Sequence, residues 1–231
     1  MNIFARITAR TMKENKTRTI VTVIGVILST AMITAVATLG VTFQRFFIDY
    51  TKEQEGSWHV AGFSLPENEV EKAEKQEETA NSTRVTELGY ALYEALQSPM
   101  MPYLYVQSLS ENTESLVPIT LREGELPKTQ NEVIIPDHLN ANLEEGAQVH
   151  VGDTLSLELG EREYKGERLD QSNSYMGTET EAEESFVPKE KREFRVVGIY
   201  DYSSLVHSIG APGYEVYAGP GNETGNYYNE Y

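Results

Sequence analysis

Residues 20–43 read IVTVIGVILSTAMITAVATLGVTF, 24 residues without a charge. As a helix with a rise of about 1.5 Å per residue, the stretch reaches about 36 Å, enough to cross a hydrocarbon core of about 30 Å with some tilt. Arg18 and Arg45 bracket it. A soluble core helix of this length would carry one charged face, and none is present. A cleaved secretory signal is the other reading to weigh, because Ala35-Val36-Ala37 has the small-x-small form of a cleavage site. The basic region ahead is long for a signal, and the stretch exceeds the usual apolar length of about 7–15 residues. The segment therefore reads as a transmembrane helix.

Charge on either side gives it a direction. Residues 1–19 hold Arg6, Arg10, Lys13, Lys16 and Arg18 against Glu14, a net +4, while the whole 231-residue chain carries -17. The rest of the chain therefore carries -21. A basic head and an acidic body follow the positive-inside pattern, head in the cytoplasm and body outside, at the plasma membrane. The acidic balance argues against a nucleic-acid partner, which needs basic patches. With no cysteine, a disulfide framework and a Cys-based metal site are impossible.

The span is not uniformly apolar. Thr30, Thr34, Thr38 and Thr42 recur every fourth residue and share one broad face, and Gly25 with Ser29 forms a small-x-x-x-small pair. Such residues let membrane helices approach closely and bond across the contact. A threonine can also satisfy its hydroxyl on its own backbone in a lone span. The favoured reading is helix packing, with the partner helices in another chain or in a continuation of this one. Ahead of the span, Ile3, Phe4 and Ile7 lie at helical spacing with Arg6, Arg10 and Lys13 turning away, a basic amphipathic segment suited to the membrane interface. A plain basic flank is the alternative.

Beyond the span, residues 44–56 read as a helical linker with a polar surface, broken at Gly56-Ser57. WHVAGFSL (58–65) predicts a strand, and Pro66 opens an acid-rich helix, ENEVEKAEKQEETA (67–80). Tyr90, Leu92 and Tyr93, then Tyr103, Tyr105 and Val106, flank Ser98-Pro99 as strands or a strand and a helix edge. Their tyrosines are expected in the core with hydroxyls at the surface. Residues 132–135 read as a strand, Asp137 as the cap of a short helix through Leu139 and Leu143, and Gly152-Asp153 as a turn. Leu155, Leu157 and Leu159 alternate as a strand should, and residues 193–200 form its match. Between them, about 161–192, the chain is acidic and poor in aliphatics, an expected mobile loop. A last strand, 214–217, starts shortly before a polar tail over 219–231, which reads as truncated. The fold class is α+β: one N-terminal transmembrane helix followed by a mixed α+β extracytoplasmic domain over 57–218.

Three blocks carry a family resemblance. KENKTRT (13–19) before IGVILS (24–29), LREGELPKTQNEVIIP (121–136), and VGDT (151–154) followed by FRVVGIY (194–200) resemble, in order, segments of the FtsX-like, MacB-type permeases of ABC transporters. The resemblance implies a first span, a large extracytoplasmic core domain and three further spans beyond it, so this chain reads as an N-terminal part. It also implies a membrane subunit that couples a separate cytoplasmic ATPase to the outer domain, for export, extraction or sensing of a peptide, lipid or antimicrobial. The implied partners are the lipid bilayer, an ABC-type ATPase subunit in another chain, and a second permease copy or further transmembrane helices. No G-x-x-x-x-G-K-[ST] occurs, so nucleotide would bind elsewhere.

The residues name no catalytic, cofactor-binding or metal site, and no cofactor is expected. His59, His138, His150 and His207 show no helical pairing at i, i+3 or i+4, and no G-x-S-x-G is present. His150 and Asp153 can meet across a turn, as strand-end polar residues often do. Asn81-Ser82-Thr83 and Asn222-Glu223-Thr224 are formal glycosylation sequons. The competing functional readings are a single-span anchored sensor or binding protein, and an anchored hydrolase.

Overall fold

The computed structural model describes residues 3–113, 116–117, 119–177, 184–202, 210–222 and 228–230, with backbone only at 53–55, 63–64 and 228–230. Two compact units divide the chain, Met1–Thr51 and Lys52–Tyr231.

The first unit is helical. Helix α1 (Ile3–Glu14) is followed after one residue by α2 (Lys16–Glu55). Bonds from Asn15 N–H to the Thr11 carbonyl and from Thr19 N–H to the Asn15 carbonyl, both 3.1 Å, carry the ladder across the junction. The 40 residues of α2 extend about 60 Å, twice a hydrocarbon core. One helix thus covers both the expected span and most of the expected linker. It is long and apolar enough to cross a membrane. The linker part is not polar all round, because Phe46, Phe47 and Tyr50 stand exposed on it.

The described residues of the second unit form ten strands: β1 (Gly62–Leu65), β2 (Arg84–Leu92), β3 (Tyr103–Leu109), β4 (Leu121–Gly124), β5 (Glu132–Pro136), β6 (Thr154–Tyr164), β7 (Glu167–Leu169), β8 (Ser185–Tyr200), β9 (Gly213–Ala218) and β10 (Tyr228–Glu230). Their order is β1-β10-β2-β3-β9-β5-β8-β6-β7, with β4 on β8. A further pairing of β2 with β6 closes β2, β3, β9, β5, β8 and β6 into a ring. The β3/β9 and β5/β8 pairs are parallel and the other pairs antiparallel. Closure happens at glycine. Gly89 has φ +133°, and a Cβ there would lie 2.7 Å from the Gly160 carbonyl oxygen. Only a residue without Cβ lets the two backbones approach so closely.

The ring interior is apolar. Leu155, Leu157 and Leu159 point inward, as their alternation predicts, with Leu104, Val106, Val133, Ile135, Phe194, Val196 and Val216. A second cluster on the outer face joins Val85, Leu109, Ile134, Val197, Tyr200 and Tyr217.

Several local expectations need correction. The strand at 58–65 is confined to Gly62–Leu65, and the helix after Pro66, α3, ends at Glu74. Thr79 stops it by donating its hydroxyl to the Ala73 carbonyl at 2.8 Å. Asp137 caps nothing: the 3-10 turn Asn140–Asn142 has Leu139 at its N-cap without a side-chain bond. Asp137 instead meets Arg122 at 2.8 Å. Much of the expected loop over 161–192 is ladder, since β6 and β8 pair out to Glu163 and Ser185. Part of that stretch, 178–183, lies outside the described residues, as do His207 and residues 223–227 and 231 of the tail. The strand at 214–217 is internal, parallel to β3 and flanked by β5.

Candidate functional site

The resemblance blocks of the second unit, 121–136 and 151–154 with 194–200, meet in one corner of the ring. Gly124 of β4 sits opposite Gly198 of β8. Gly124 has φ +81°, and a Cβ there would run into the Val197 carbonyl. A Cβ on Gly198 would lie 2.7 Å from the Glu125 carbonyl oxygen. The Glu132 carboxylate accepts N–H bonds from Lys128 (2.8 Å) and Thr129 (3.1 Å), closing the turn ahead of β5. Asp153 accepts from His150 N–H at 2.8 Å, and its own carbonyl accepts from Val196 N–H at 2.8 Å. The corner therefore joins strands; it presents no convergent reactive groups.

A second constellation is buried. Arg162 on β6 has a side chain with no solvent exposure, and so does its partner Glu184. Arg162 donates to Glu184 from Nε at 2.9 Å and from Nη2 at 2.7 Å, a two-bond fork. Its Nη1 donates to the carbonyls of Asp170 (2.9 Å) and Asn173 (3.1 Å). Met176 N–H donates to Glu184 at 2.9 Å, and Gln171 Nε2 to the Gly213 carbonyl at 2.7 Å. Residues 170–176 are thus strapped to the ring by one arginine and its counter-ion. The guanidinium lies 5.2 Å from the Tyr90 ring centre and 5.6 Å from that of Tyr103. Tyr90 stacks on Tyr105 at 4.8 Å, and Tyr175 and Phe186 close the aromatic group. Packing in the core matches expectation for these tyrosines. A surface hydroxyl does not hold for Tyr90, whose oxygen is buried.

Electrostatics follow the packing. Burial works to raise the Glu184 carboxyl, but the Arg162 bonds and the Met176 N–H outweigh it and hold it below the usual range. At Glu87 burial wins over the nearby Arg168, and the carboxyl is pushed up. Burial also raises Tyr90, Tyr103, Tyr105 and Tyr200, and Tyr202 is pushed up to about 12. Among the described residues no group of three His, Asp or Glu is placed to hold a metal ion. His150 does approach Asp153, with Nδ1 3.7 Å from Oδ2, and both are exposed.

On the first unit, the hydroxyls of Thr30, Thr34 and Thr38 donate to carbonyls four residues back at 2.7–2.9 Å, and Ser29 to Gly25 at 2.8 Å. The face is small and self-satisfied. Ile3, Phe4 and Ile7 on α1 are exposed.

A family model described as the MacB-like periplasmic core domain matches residues 19–219. The chain belongs to that family. Most of its length is thus a domain of the MacB-like periplasmic core type. Two solved structures are similar to it. One is a domain described as part of a permease protein from Porphyromonas gingivalis, with 13% identity, TM-score 0.35, and coverage of 69% of this chain and 64% of that one. The other is the periplasmic region of MacB from Actinobacillus actinomycetemcomitans, with 13% identity, TM-score 0.35, and coverage of 74% and 64%. The chain spans 64% of the length of each, and likeness at this level carries no structural inference. No match was found among curated proteins.

For a MacB-like chain, the sequence reading located the framework and missed the strap. Arg162 lies on the face of β6 opposite the inward leucines, where alternation predicts solvent, and residues 170–176 cover it there. Its partner Glu184 is one acid among many in that stretch. The Asn222 sequon is also resolved by packing: Asn222 is buried, accepts from Arg192 at 2.7 Å and donates to the Gln130 carbonyl at 3.3 Å.

Proposed function

We propose that this MacB-like chain is the membrane subunit of an ABC transporter, with residues 1–19 in the cytoplasm, 20–43 in the plasma membrane, 44–56 as linker and 57–218 as the extracytoplasmic domain. It couples ATP hydrolysis in another polypeptide to its outer domain, for export, extraction or sensing of a peptide, lipid or antimicrobial. A second permease copy or further spans complete the helix bundle. The supporting observation is helix α2, which starts at a basic flank and continues without a break from Lys16 to Glu55. A continuous hydrogen-bonded rod transmits displacement along its axis, whereas a flexible linker would absorb it.

The absence of native cysteine makes the topology directly testable. Cysteines placed singly at Lys13 and at exposed Glu158 are treated with a membrane-impermeant maleimide in intact cells. Position 158 should label and position 13 should not; labelling of position 13 overturns the orientation. An ABC-type ATPase should co-purify with the full chain. Its consistent absence would leave an anchored sensor as the better reading. A two-glycine insertion after Thr51 should keep the ATPase bound but disconnect its hydrolysis rate from the outer domain.

A further inference from the structure

Phe43, Phe46, Phe47 and Tyr50 form an apolar stripe on α2, each more than half exposed. The Phe46 and Phe47 rings meet edge-on at 5.8 Å, and Phe46 stacks with Tyr50 at 6.0 Å. At about 100° per residue these four, with Met32, Val36 and Leu39 below them, fall within an arc of about 100°. Thr30, Thr34, Thr38, Thr42, Arg45 and Asp49 fall in an arc centred roughly 150° away. From Thr30 onward the helix therefore has two faces: one hydroxylated and then charged, the other bulky and then aromatic.

In a bilayer the two faces call for different neighbours. Helices approach through small residues, while bulky apolar side chains lose nothing by facing lipid. The aromatic stripe directly continues the lipid-suited face of the span. Phenylalanine and tyrosine at that position match the aromatic belt that forms where hydrocarbon meets headgroups.

Resting on the reading that α2 spans the membrane, we infer that the stripe Phe43, Phe46, Phe47 and Tyr50 lies against the outer headgroup layer and sets the depth and tilt of the helix. From Ile20 to Phe43 the helix runs about 35 Å, so a 30 Å core requires a tilt of roughly 30°. Seven residues further, Tyr50 stands about 9 Å above the core edge along the axis. Rings on the underside of a helix tilted this way hang about 3 Å lower. That places them within a headgroup layer about 5–8 Å deep. Arg45 and Asp49 lie on the upper side, toward water. Any stroke that brings the helix upright must lift these rings off the lipid, so the stripe defines a tilted resting position.

The test uses the full chain in phosphatidylcholine vesicles with single cysteines at Val36, Arg45, Phe46, Phe47, Asp49 and Tyr50, each carrying a nitroxide. Collision with oxygen reports lipid, and collision with a water-soluble nickel complex reports solvent. The oxygen-to-nickel ratio should be severalfold higher at 46, 47 and 50 than at 45 and 49. Equal ratios at all five positions overturn the inference. So does dipolar broadening between chains at 46, 47 and 50, which would mean that a second copy covers the stripe. Position 36 separates the two levels: nickel access there removes the span itself, and the inference with it.

Discussion

Replacing Arg162 by alanine strands Glu184 in a site where neither side chain reaches solvent. Removing one partner of a buried pair costs about 3–5 kcal/mol, because the remaining charge has neither water nor counter-ion. For a domain of this size that lowers Tm by roughly 6–20 °C. The structure adds a term that a simple ion pair lacks. Arg162 also serves the carbonyls of Asp170 and Asn173 at 2.9 and 3.1 Å. The double replacement Arg162→Met with Glu184→Leu removes the stranded charge but also the bonds that the pair makes to those carbonyls and to the Met176 N–H. It should recover only part of the loss and stay about 2 kcal/mol below the parent. Arg162→Lys keeps the charge without the planar fork and should fall between. The assay is thermal unfolding of the full chain in detergent, followed by near-ultraviolet circular dichroism of the tyrosines. A cost below about 1 kcal/mol for Arg162→Ala refutes the buried pair as a fastening. A double variant as stable as the parent refutes the role of the carbonyl bonds.

The pH dependence should carry two opposed slopes. Glu87, raised by burial, adds stability that is full below its unfolded value of 4.5 and lost as pH climbs through its higher folded pKa. Glu184, held low by Arg162, adds stability that is full above 4.5 and lost as pH falls through its depressed folded pKa. Glu87→Gln should therefore flatten the profile above 4.5 and leave the acid limb unchanged, as read from denaturant midpoints against pH. Gly124→Ala forces a left-handed backbone onto a residue whose Cβ meets the Val197 carbonyl. It should cost at least about 2 kcal/mol and lower Tm by about 4–8 °C; an unchanged melt would sink the account of that crossing. Tyrosinate absorbance should show Tyr90, Tyr103, Tyr105 and Tyr200 ionising only with unfolding, and a normal titration of all 14 tyrosines would contradict their burial.

What could be read in advance divides along physical lines. The apolar run at 20–43 needs no tertiary context, because its length and lack of charge already exclude a partly solvated helix. Leu155, Leu157 and Leu159 were legible because a two-residue period survives as long as the strand stays regular. Arg162 continues that period on the opposite face of β6, against Tyr90 and Tyr103, and is buried there only because residues 170–176 fold over it, a cover that no periodicity shows. Ring closure was equally hidden. It depends on β2 meeting β6 at Tyr90–Gly160, a contact far apart in sequence that glycine at 89 makes sterically possible. The aromatic stripe is visible as letters, but Gln44, Arg45 and Asp49 set among its rings make residues 44–56 read as a polar linker.

The resemblance blocks and the strap answer different questions. Gly124, Glu132, Asp153 and Gly198 are turn and crossing residues, held mainly by backbone geometry. They form a framework and present no group that would select a ligand. Selectivity in the outer domain has to come from side chains that the framework does not dictate. The strap over 170–176 is such an element. Its position depends on two side chains, Arg162 and Glu184, and it covers an aromatic group that a regular hairpin would leave bare. If the strap bears on cargo, Arg162→Lys should alter transport or sensing at temperatures where the domain remains folded, while Gly124→Ala, matched in stability, should not. Equal functional loss in the two variants would assign the strap to stability alone.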